Sequence, residues 1–184
     1  MTTATTRALT VRQPWASLIS LHAKTLETRA TPTKFRGPVL IHSAQGVEHF
    51  KAKTTTDIGK YSVERDAGGL LLRGPISHPY RLPLGAVVAI VDLVDCLPII
   101  DNQGGGDDTG ALVIRIEDDN TVSTFGDLSA ETVTEQLPYG DFGVGRYCWV
   151  MENVRPVKDV TVKGKLGLWT PTAELVKEVL DAVR

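Results

Sequence analysis

The chain has 184 residues and a net charge of −2 at neutral pH, with 42% hydrophobic and 23% charged residues. These values are ordinary for a globular protein and allow one buried core that carries a large insertion. No apolar run reaches the roughly 18 residues that a membrane span requires, and the first ten residues lack the apolar segment of a signal peptide. We therefore expect a cytoplasmic protein that makes no membrane contact.

The first predicted elements are a strand over residues 8–11, a helix that Pro14 opens and that ends near His22, and strands over residues 24–29 and 37–43. Proline suits the first helical position, since the N–H that it lacks has no partner there. In the strand over residues 24–29, alternation places Thr25, Glu27 and Arg29 on one face and Lys24, Leu26 and Thr28 on the other.

Residues 45–84 are expected to form an insertion, with helical pieces at 47–53 and 61–67 before a loop rich in Gly and Pro. The Val- and Ile-rich run over residues 85–97 predicts a strand. A second insertion spans residues 98–140. Within it, residues 101–108 are a polar, Gly-rich loop, and residues 111–116 and 121–125 form a hairpin.

Ser129 is expected to cap a short helix that ends near Leu137. Strands over residues 146–154 and 157–162 follow, and a helix begun at Pro171 closes the chain. Its predicted buried face comprises Leu175, Val176, Val179, Leu180 and Val183. These elements predict a single α+β domain over residues 1–184, a mixed β-barrel of about six strands flanked by short helices.

Cys96 and Cys148 each lie in an apolar, strand-like run. Two thiols without clustered histidines cannot complete a zinc site, and an isolated pair does not indicate a disulfide framework. We expect both cysteines to be buried, reduced and structural, with no metal or cofactor bound.

Four segments of the sequence form a pattern at residues 9–29, 35–44, 85–96 and 145–169. They read LTVRQPWASLI running on into KTLETR, then FRGPVLIHSA, then GAVVAIVDLVDC, and finally GRYCW with VKGKLGLW. Together they resemble the ASCH (activating signal cointegrator homology) domains of the PUA-like superfamily. The resemblance implies a PUA-like barrel, binding of RNA or DNA, and a cleft where Lys24, Glu27 and Arg29 gather.

The chemistry of these three residues fits that implication. Lys24 and Arg29 can meet phosphates, and Glu27 can accept a hydrogen bond from an exocyclic base amine. Trp15 or Tyr147 can offer a stacking surface for an unpaired base. The alternatives to these binding roles are structural. Lys24, Glu27 and Arg29 could form only an ion pair on a solvated face, and Trp15 could pack in the core.

Four further residues complete the predicted nucleic-acid-binding set. Arg12 and Gln13 flank the first helix and reach the cleft or only cap that helix. Arg146 and Lys163 come from the closing strands, where Lys163, Gly164 and Lys165 resemble a turn of close backbone approach. Trp149 and Trp169 are expected to pack the barrel, and His42 to be a core histidine with its hydrogen bonds satisfied.

The sequence departs from the family pattern in two places. His22 stands where the family places a glycine after the first helix. Glycine permits a left-handed residue there, whereas histidine pays about 1 kcal/mol for the same conformation, so we expect the end of this helix to differ from the family pattern. A branch of the family is similar to amidohydrolases that act on acetylated cytidine through a Lys, a Thr and a Glu. Lys24 matches that Lys, but Glu27 occupies the position of the Thr and could serve as a base instead.

Three functions stay open at this point. The first is a nucleic-acid-binding module that recognises RNA, or an unpaired or modified base. The second is a hydrolase for a modified nucleoside amide, or a ribonuclease, with Lys24 and Glu27 as the catalytic residues. The third is a protein-interaction module that binds a partner through the acidic segment 98–141. Residues 86–142 hold twelve Asp/Glu against one Lys/Arg, while residues 1–60 hold nine Lys/Arg against three Asp/Glu.

Overall fold

A computed structural model describes residues 5–46, 55–100, 113–116, 122–125 and 128–184. The predicted helical piece at 47–53 and the glycine-rich loop at 101–108 lie outside these residues. No helix in the described ranges is long and apolar enough to cross a membrane.

The described residues contain twelve strands, three α-helices and one 3₁₀ turn. The strands of the first half are β1 Arg7–Val11, β2 Leu26–Arg29, β3 Gly37–Ser43, β4 Thr55–Ile58, β5 Tyr61–Asp66 and β6 Gly69–Arg73. Those of the second half are β7 Tyr80–Arg81, β8 Ala86–Ile100, β9 Val113–Ile116, β10 Val122–Phe125, β11 Tyr147–Thr161 and β12 Leu168–Trp169. The helices are α1 Trp15–Ser20, α2 Ala130–Gln136 and α3 Ala173–Asp181, and the 3₁₀ turn is Leu137–Tyr139.

The predicted α+β class is confirmed, and the sheet is mixed as expected. β1 pairs with β3 in parallel and β8 with β9 in parallel, whereas β1–β12 and β2–β11 are antiparallel. The number of strands exceeds the predicted six because the first insertion contributes β4 to β7, a sheet of its own, and the second insertion contributes β9 and β10.

The chain divides into two compact units. The first unit comprises residues 1–23, 37–92 and 153–184, and the second comprises residues 24–36 and 93–152. Strands β8 and β11 contribute residues to both units.

In the first unit the strand order is β8-β3-β1-β12, with β12 at the end of the order among the described strands. Its core contains apolar residues of β1, β3, β8, β11, β12 and α3: Ala8, Leu40, Val87, Ile90, Val157, Val160, Trp169, Leu175 and Val179. α3 begins at Ala173 and not at Pro171, and Thr172 caps it by accepting a hydrogen bond from the N–H of Leu175. Leu180 and Val183 are exposed, which corrects the predicted buried face of this helix.

Residues 61–67 were predicted as helical, but residues 61–66 form strand β5, so this prediction is wrong. β4, β5, β6 and β7 make a separate antiparallel sheet in that order. Tyr61 and Val63 of β5 are buried while Ser62 between them is only partly so. This period of two is that of a strand, and pairing with two neighbours overrides the local helical preference.

In the second unit, β2 pairs with β11, and β9 with β10 forms the predicted hairpin. Ser129 caps α2 as predicted by accepting a hydrogen bond from the N–H of Thr132. The core of this unit comprises Leu26, Leu97, Ile99, Val133, Phe142, Cys148 and Val150.

β11 is one strand of 15 residues where the sequence predicted two. Asn153 lies within it and adopts a left-handed φ of 49°. The carbonyl of Pro156 accepts a hydrogen bond from the N–H of Arg184, and Val157 pairs with Val183. A neighbouring segment therefore pairs with the strand around the proline, which itself offers no N–H.

Candidate functional site

Lys24, Glu27 and Arg29 form one charged network in the second unit. Lys24 Nζ lies 3.4 Å from Glu27 Oε2, and Arg29 Nε lies 3.1 Å from Glu27 Oε1. Each oxygen of the carboxylate thus has its own cation, which fixes the plane of the group.

Lys24 differs from the phosphate-contacting lysine that the sequence predicted. The residue has 0% exposed surface, and its ammonium donates to the carbonyls of Leu26 and Tyr139, the latter at 2.7 Å. Burial lowers the pKa of Lys24, while the neighbouring Glu27 carboxylate opposes that shift. A lysine enclosed in this way positions Glu27 and has no surface to offer a ligand.

Residues far along the chain hold the start of β2, and sequence reasoning missed them. The side-chain oxygen of Gln136, at the end of α2, accepts hydrogen bonds from the N–H groups of Thr25 at 2.9 Å and Leu26 at 3.4 Å. Tyr139, in the following 3₁₀ turn, supplies the carbonyl that binds Lys24. No local pattern marks these contacts, which join residues more than 100 positions apart.

The pairing of β2 with β11 separates a core face from a site face. Thr28 is paired with Cys148 and Leu26 with Val150, and Leu26, Cys148 and Val150 belong to the core. The opposite face carries Glu27 beside Trp149 and Arg29 beside Tyr147. We call Glu27, Arg29 and Tyr147 the β2–β11 site face.

Arg29 and Tyr147 give this face its accessible part. The Arg29 side chain is 27% exposed and Tyr147 is half-buried. Trp149 is buried and donates from its indole nitrogen to the carbonyl of Thr31 at 3.3 Å, so it packs as predicted. A cation, a carboxylate and an aromatic ring therefore lie next to one another on two paired strands.

Arg146, another predicted binding residue, is engaged by the protein itself. Its Nε donates to the carbonyl of Asp141 at 3.0 Å, and its Nη1 lies 3.4 Å from the Asp141 carboxylate. Thr28 accepts a hydrogen bond from the N–H of Asp141 through its hydroxyl at 3.0 Å. Arg146 thus holds the segment between the 3₁₀ turn and β11 in place through Asp141. The Thr28 hydroxyl binds the same residue.

The remaining predicted residues belong to the first unit. Gln13 is fully buried and donates to the carbonyl of Pro83 at 2.7 Å and to the Ser17 hydroxyl at 2.8 Å. Its Oε1 accepts a hydrogen bond from the N–H of Ser17 at 3.1 Å, so its side chain caps the first turn of α1. Trp15 is half-buried at the start of α1, and Arg12 is exposed. Lys163 is exposed in the β11–β12 loop. His22 adopts a left-handed φ of 60°, the conformation that the glycine of the family pattern permits, although the sequence led us to expect a different end of the helix.

His42 and Gly164 confirm the predicted close approach of backbone in the first unit. A Cβ on Gly164 would lie 2.3 Å from the His42 ring. His42 is buried with Nε2 2.9 Å from the Val162 carbonyl, and Nδ1 has no hydrogen-bond partner among the described residues. The core position is as predicted, but only one ring nitrogen is satisfied.

Both cysteines are free; Cys148 is buried and Cys96 is half-buried. Burial raises the pKa of Cys148 to about 12, so this thiol is protonated at neutral pH. Among the described residues, no group of three or more His, Cys, Asp or Glu side chains is placed to hold a metal ion.

Comparison with known proteins gives matches among solved structures. No family model matches the chain, and no curated protein matches it. The ASCH structure from Zymomonas mobilis is similar over 99% of this chain and 98% of its own, with 10% identity and a TM-score of 0.47. Two point mutants of that protein match over 97% and 98% of this chain and 99% and 98% of their own, with 10% identity and TM-scores of 0.46 and 0.47. The chain is similar to ASCH structures. They carry the name of the family whose motifs the sequence resembles.

Proposed function

We propose that this chain is a nucleic-acid-binding module that holds an unpaired or modified base of RNA or single-stranded DNA at the β2–β11 site face. The observation that carries the proposal is the Glu27 carboxylate, which is held between two cations, one of which, Arg29, is paired across the strands with Tyr147. A module that bound phosphates alone would need no buried acceptor at this point.

The energetics of the Lys24–Glu27 pair favour a positioning role. Removing two charges from water costs several kcal/mol per ion, so a buried pair adds little net stability over apolar residues of the same volume. Lys24 is fully buried and Glu27 nearly so. The gain from such a pair is a carboxylate of fixed place and orientation, which suits recognition of a base edge.

Each group of the site face has a distinct part in this proposal. An ionised carboxylate has about four acceptor sites, so Glu27 can bind Lys24 and Arg29 and still accept from an exocyclic amine. Arg29 meets a phosphate with its exposed guanidinium edge. Tyr147 stacks on the base, a contact worth about 1–3 kcal/mol.

A fluorescence titration tests this function. Labelled single-stranded RNA, single-stranded DNA and duplex DNA are each titrated at two salt concentrations. We expect Arg29→Ala to weaken single-strand binding about 10- to 100-fold and to lower the salt slope by about 0.7–0.9, because one phosphate contact is lost. Tyr147→Leu is expected to weaken binding without changing that slope.

Arg36→Ala is the matched control in the same unit. Arg36 pairs with Asp95 at 2.6 Å and has a side chain that is 39% exposed. Arg36→Ala removes one positive charge, as Arg29→Ala does. If both arginine variants lose the same affinity, or if the wild-type protein binds none of the three probes, the proposal is wrong.

A hydrolase is the second candidate, because Lys24 and Glu27 are in contact and the pKa of Lys24 is lowered. In this reaction water adds across the amide bond of an acetylated cytidine. Glu27 takes the proton of water and returns it to the leaving amine, which yields acetate and cytidine. Release of acetate that stops in Glu27→Gln would support this function, whereas turnover that survives the change would exclude Glu27 as the base.

A further inference from the structure

We propose that the loop of residues 163–167, Lys163-Gly164-Lys165-Leu166-Gly167, is a second single-strand contact, in which the two lysines meet phosphates and Leu166 packs against the face of an unpaired base. The inference rests on the proposed function, and it names a surface of the first unit that this function does not use. We call these five residues the 163–167 loop.

The backbone of the 163–167 loop is fixed to the first unit at several points. The Thr10 hydroxyl donates to the carbonyl of Lys165 at 2.6 Å and accepts from the Trp169 indole at 3.3 Å. Gly164 lies directly against the buried His42 ring, and His42 is bound in turn to Val162. A loop fixed in this way loses little conformational freedom when it binds a ligand.

The side chains of the loop, in contrast, point to solvent. Lys163 and Lys165 are exposed, and Leu166 is 97% exposed. A single exposed leucine needs no explanation by itself. Here, however, it follows an exposed cation on a backbone that the protein holds in place, and Gly167 completes the turn with a φ of 68°.

The charge of the loop identifies the class of ligand. Residues 160–173 contain no Asp or Glu, and neither Lys163 nor Lys165 has an ion pair with any described residue. The ammonium of Lys165 lies 5.8 Å from the centre of the Trp169 ring, which orients it without neutralising it. Two residues span at most about 7 Å, so the two ammonium groups can reach neighbouring phosphates of one strand.

Leu166 favours a single strand over a duplex. The face of an unpaired base is open to an apolar side chain, while a base inside a duplex is covered by its neighbours. The two lysines can meet phosphates of either form. Binding by the loop therefore has two contributions. The charge contribution applies to all nucleic acids, and the apolar contribution applies only to unpaired bases.

Two variants of the full-length protein test these contributions with a labelled single-stranded RNA and its duplex. The double variant K163Q/K165Q is expected to weaken binding of both probes and to reduce the salt slope by about 1.4–1.8, which corresponds to two lost phosphate contacts. Leu166→Ser is expected to weaken single-strand binding about 5- to 30-fold, with the salt slope and the duplex affinity unchanged. Near-ultraviolet circular dichroism verifies that both variants keep the wild-type packing.

K60Q/K158Q is the matched control. Lys60 and Lys158 are exposed residues of the same unit, and their replacement changes the net charge by the same amount. An equal loss in the control pair would overturn the inference, as would a Leu166→Ser protein with wild-type affinity. Vesicles of phosphatidylserine and phosphatidylcholine are a third probe, and binding that Leu166→Ser abolishes there but not with RNA would assign the loop to a membrane and overturn the inference.

The outcome for the loop is distinguishable from that for the β2–β11 site face. If Arg29→Ala weakens binding and K163Q/K165Q does not, the inference fails and the proposed function stands. If the loop variants weaken binding and Arg29→Ala does not, the loop is a contact and the proposed site is wrong. A wild-type protein that binds neither the RNA probes nor single-stranded or duplex DNA overturns both.

Discussion

The β2–β11 site face and the 163–167 loop hold their charges in opposite ways. The first is held by Lys24, which is completely enclosed and paired with Glu27, while the second exposes Lys163 and Lys165 without an ion pair among the described residues. A buried charge determines geometry and stability, because its removal leaves a partner stranded away from water. An exposed charge is nearly neutral for stability and remains available to a ligand.

The largest effect should follow the removal of Lys24. We expect Lys24→Met to lower the free energy of unfolding by about 3–5 kcal/mol, because Glu27 and two carbonyls lose their shared cation. Lys165→Met, the same change in the exposed loop, should stay within about 0.5 kcal/mol of the wild-type value. Urea unfolding measures both, with coincident fluorescence and circular dichroism transitions as the two-state check.

A double variant refines this result. Lys24→Met combined with Glu27→Leu should recover much of the stability lost by Lys24→Met alone, since no unpaired charge is left in the interior. Equal losses in Lys24→Met and Lys165→Met would contradict the contrast between buried and exposed charge.

The next comparison is between two glycines, Gly164 of the 163–167 loop and Gly140 of the second unit, of which Gly164 is the more tightly packed. A Cβ on Gly164 would meet the buried His42 ring at 2.3 Å, whereas one on Gly140 would meet Phe142 and Thr28 at 3.0 and 3.1 Å. Gly164→Ala should therefore cost about 1–3 kcal/mol of unfolding free energy. Gly140→Ala should cost less, and thermal or urea unfolding of the two variants decides the order. If Gly164→Ala leaves the free energy of unfolding unchanged, the loop backbone can shift to admit a Cβ and is not fixed as described above.

The smallest effect concerns pH and separates a buried histidine from an exposed histidine, both in the first unit. Burial lowers the pKa of His42, so below pH 6.5 the unfolded chain binds a proton that the folded protein does not. Stability should fall as the pH drops below 6.5, by at most about 1.4 kcal/mol per pH unit for this one group. Urea unfolding at pH 7.5, 6.0 and 5.0 measures the slope. His42→Gln should flatten the dependence of stability on pH, and replacement of the exposed His22 by Gln should not. If His42→Gln leaves the slope unchanged, other groups cause the pH dependence.

Local patterns predicted much of the fold. The apolar run with Gly37 at its start predicted β3 with the bounds that the structure has, and Ser129 marked the start of α2. These predictions succeeded because a strand buried on both faces and a helix cap are both set by residues close in sequence. The helix predicted at residues 61–67 failed because its neighbours β4 and β6 decide its conformation.

The candidate site was predicted in composition but not in arrangement. Alternation correctly placed Glu27 and Arg29 on one face, and it placed Lys24 on the other. The structure begins β2 at Leu26, so strand alternation does not govern Lys24, and its long side chain reaches Glu27. Gln136 and Tyr139, which fix this arrangement, lie too far along the chain for any local pattern to indicate them.

The sequence by itself determined the α+β class, most of the strands of the mixed sheet, the motifs that resemble those of ASCH domains and the charged residues of the candidate site. Only the tertiary structure decided which of those charges are buried. Exposure depends on which distant segments pack over a side chain, and periodicity along one strand carries no information about them. Lys24 and Lys163 were both predicted to bind nucleic acid, and the fold encloses the first and exposes the second.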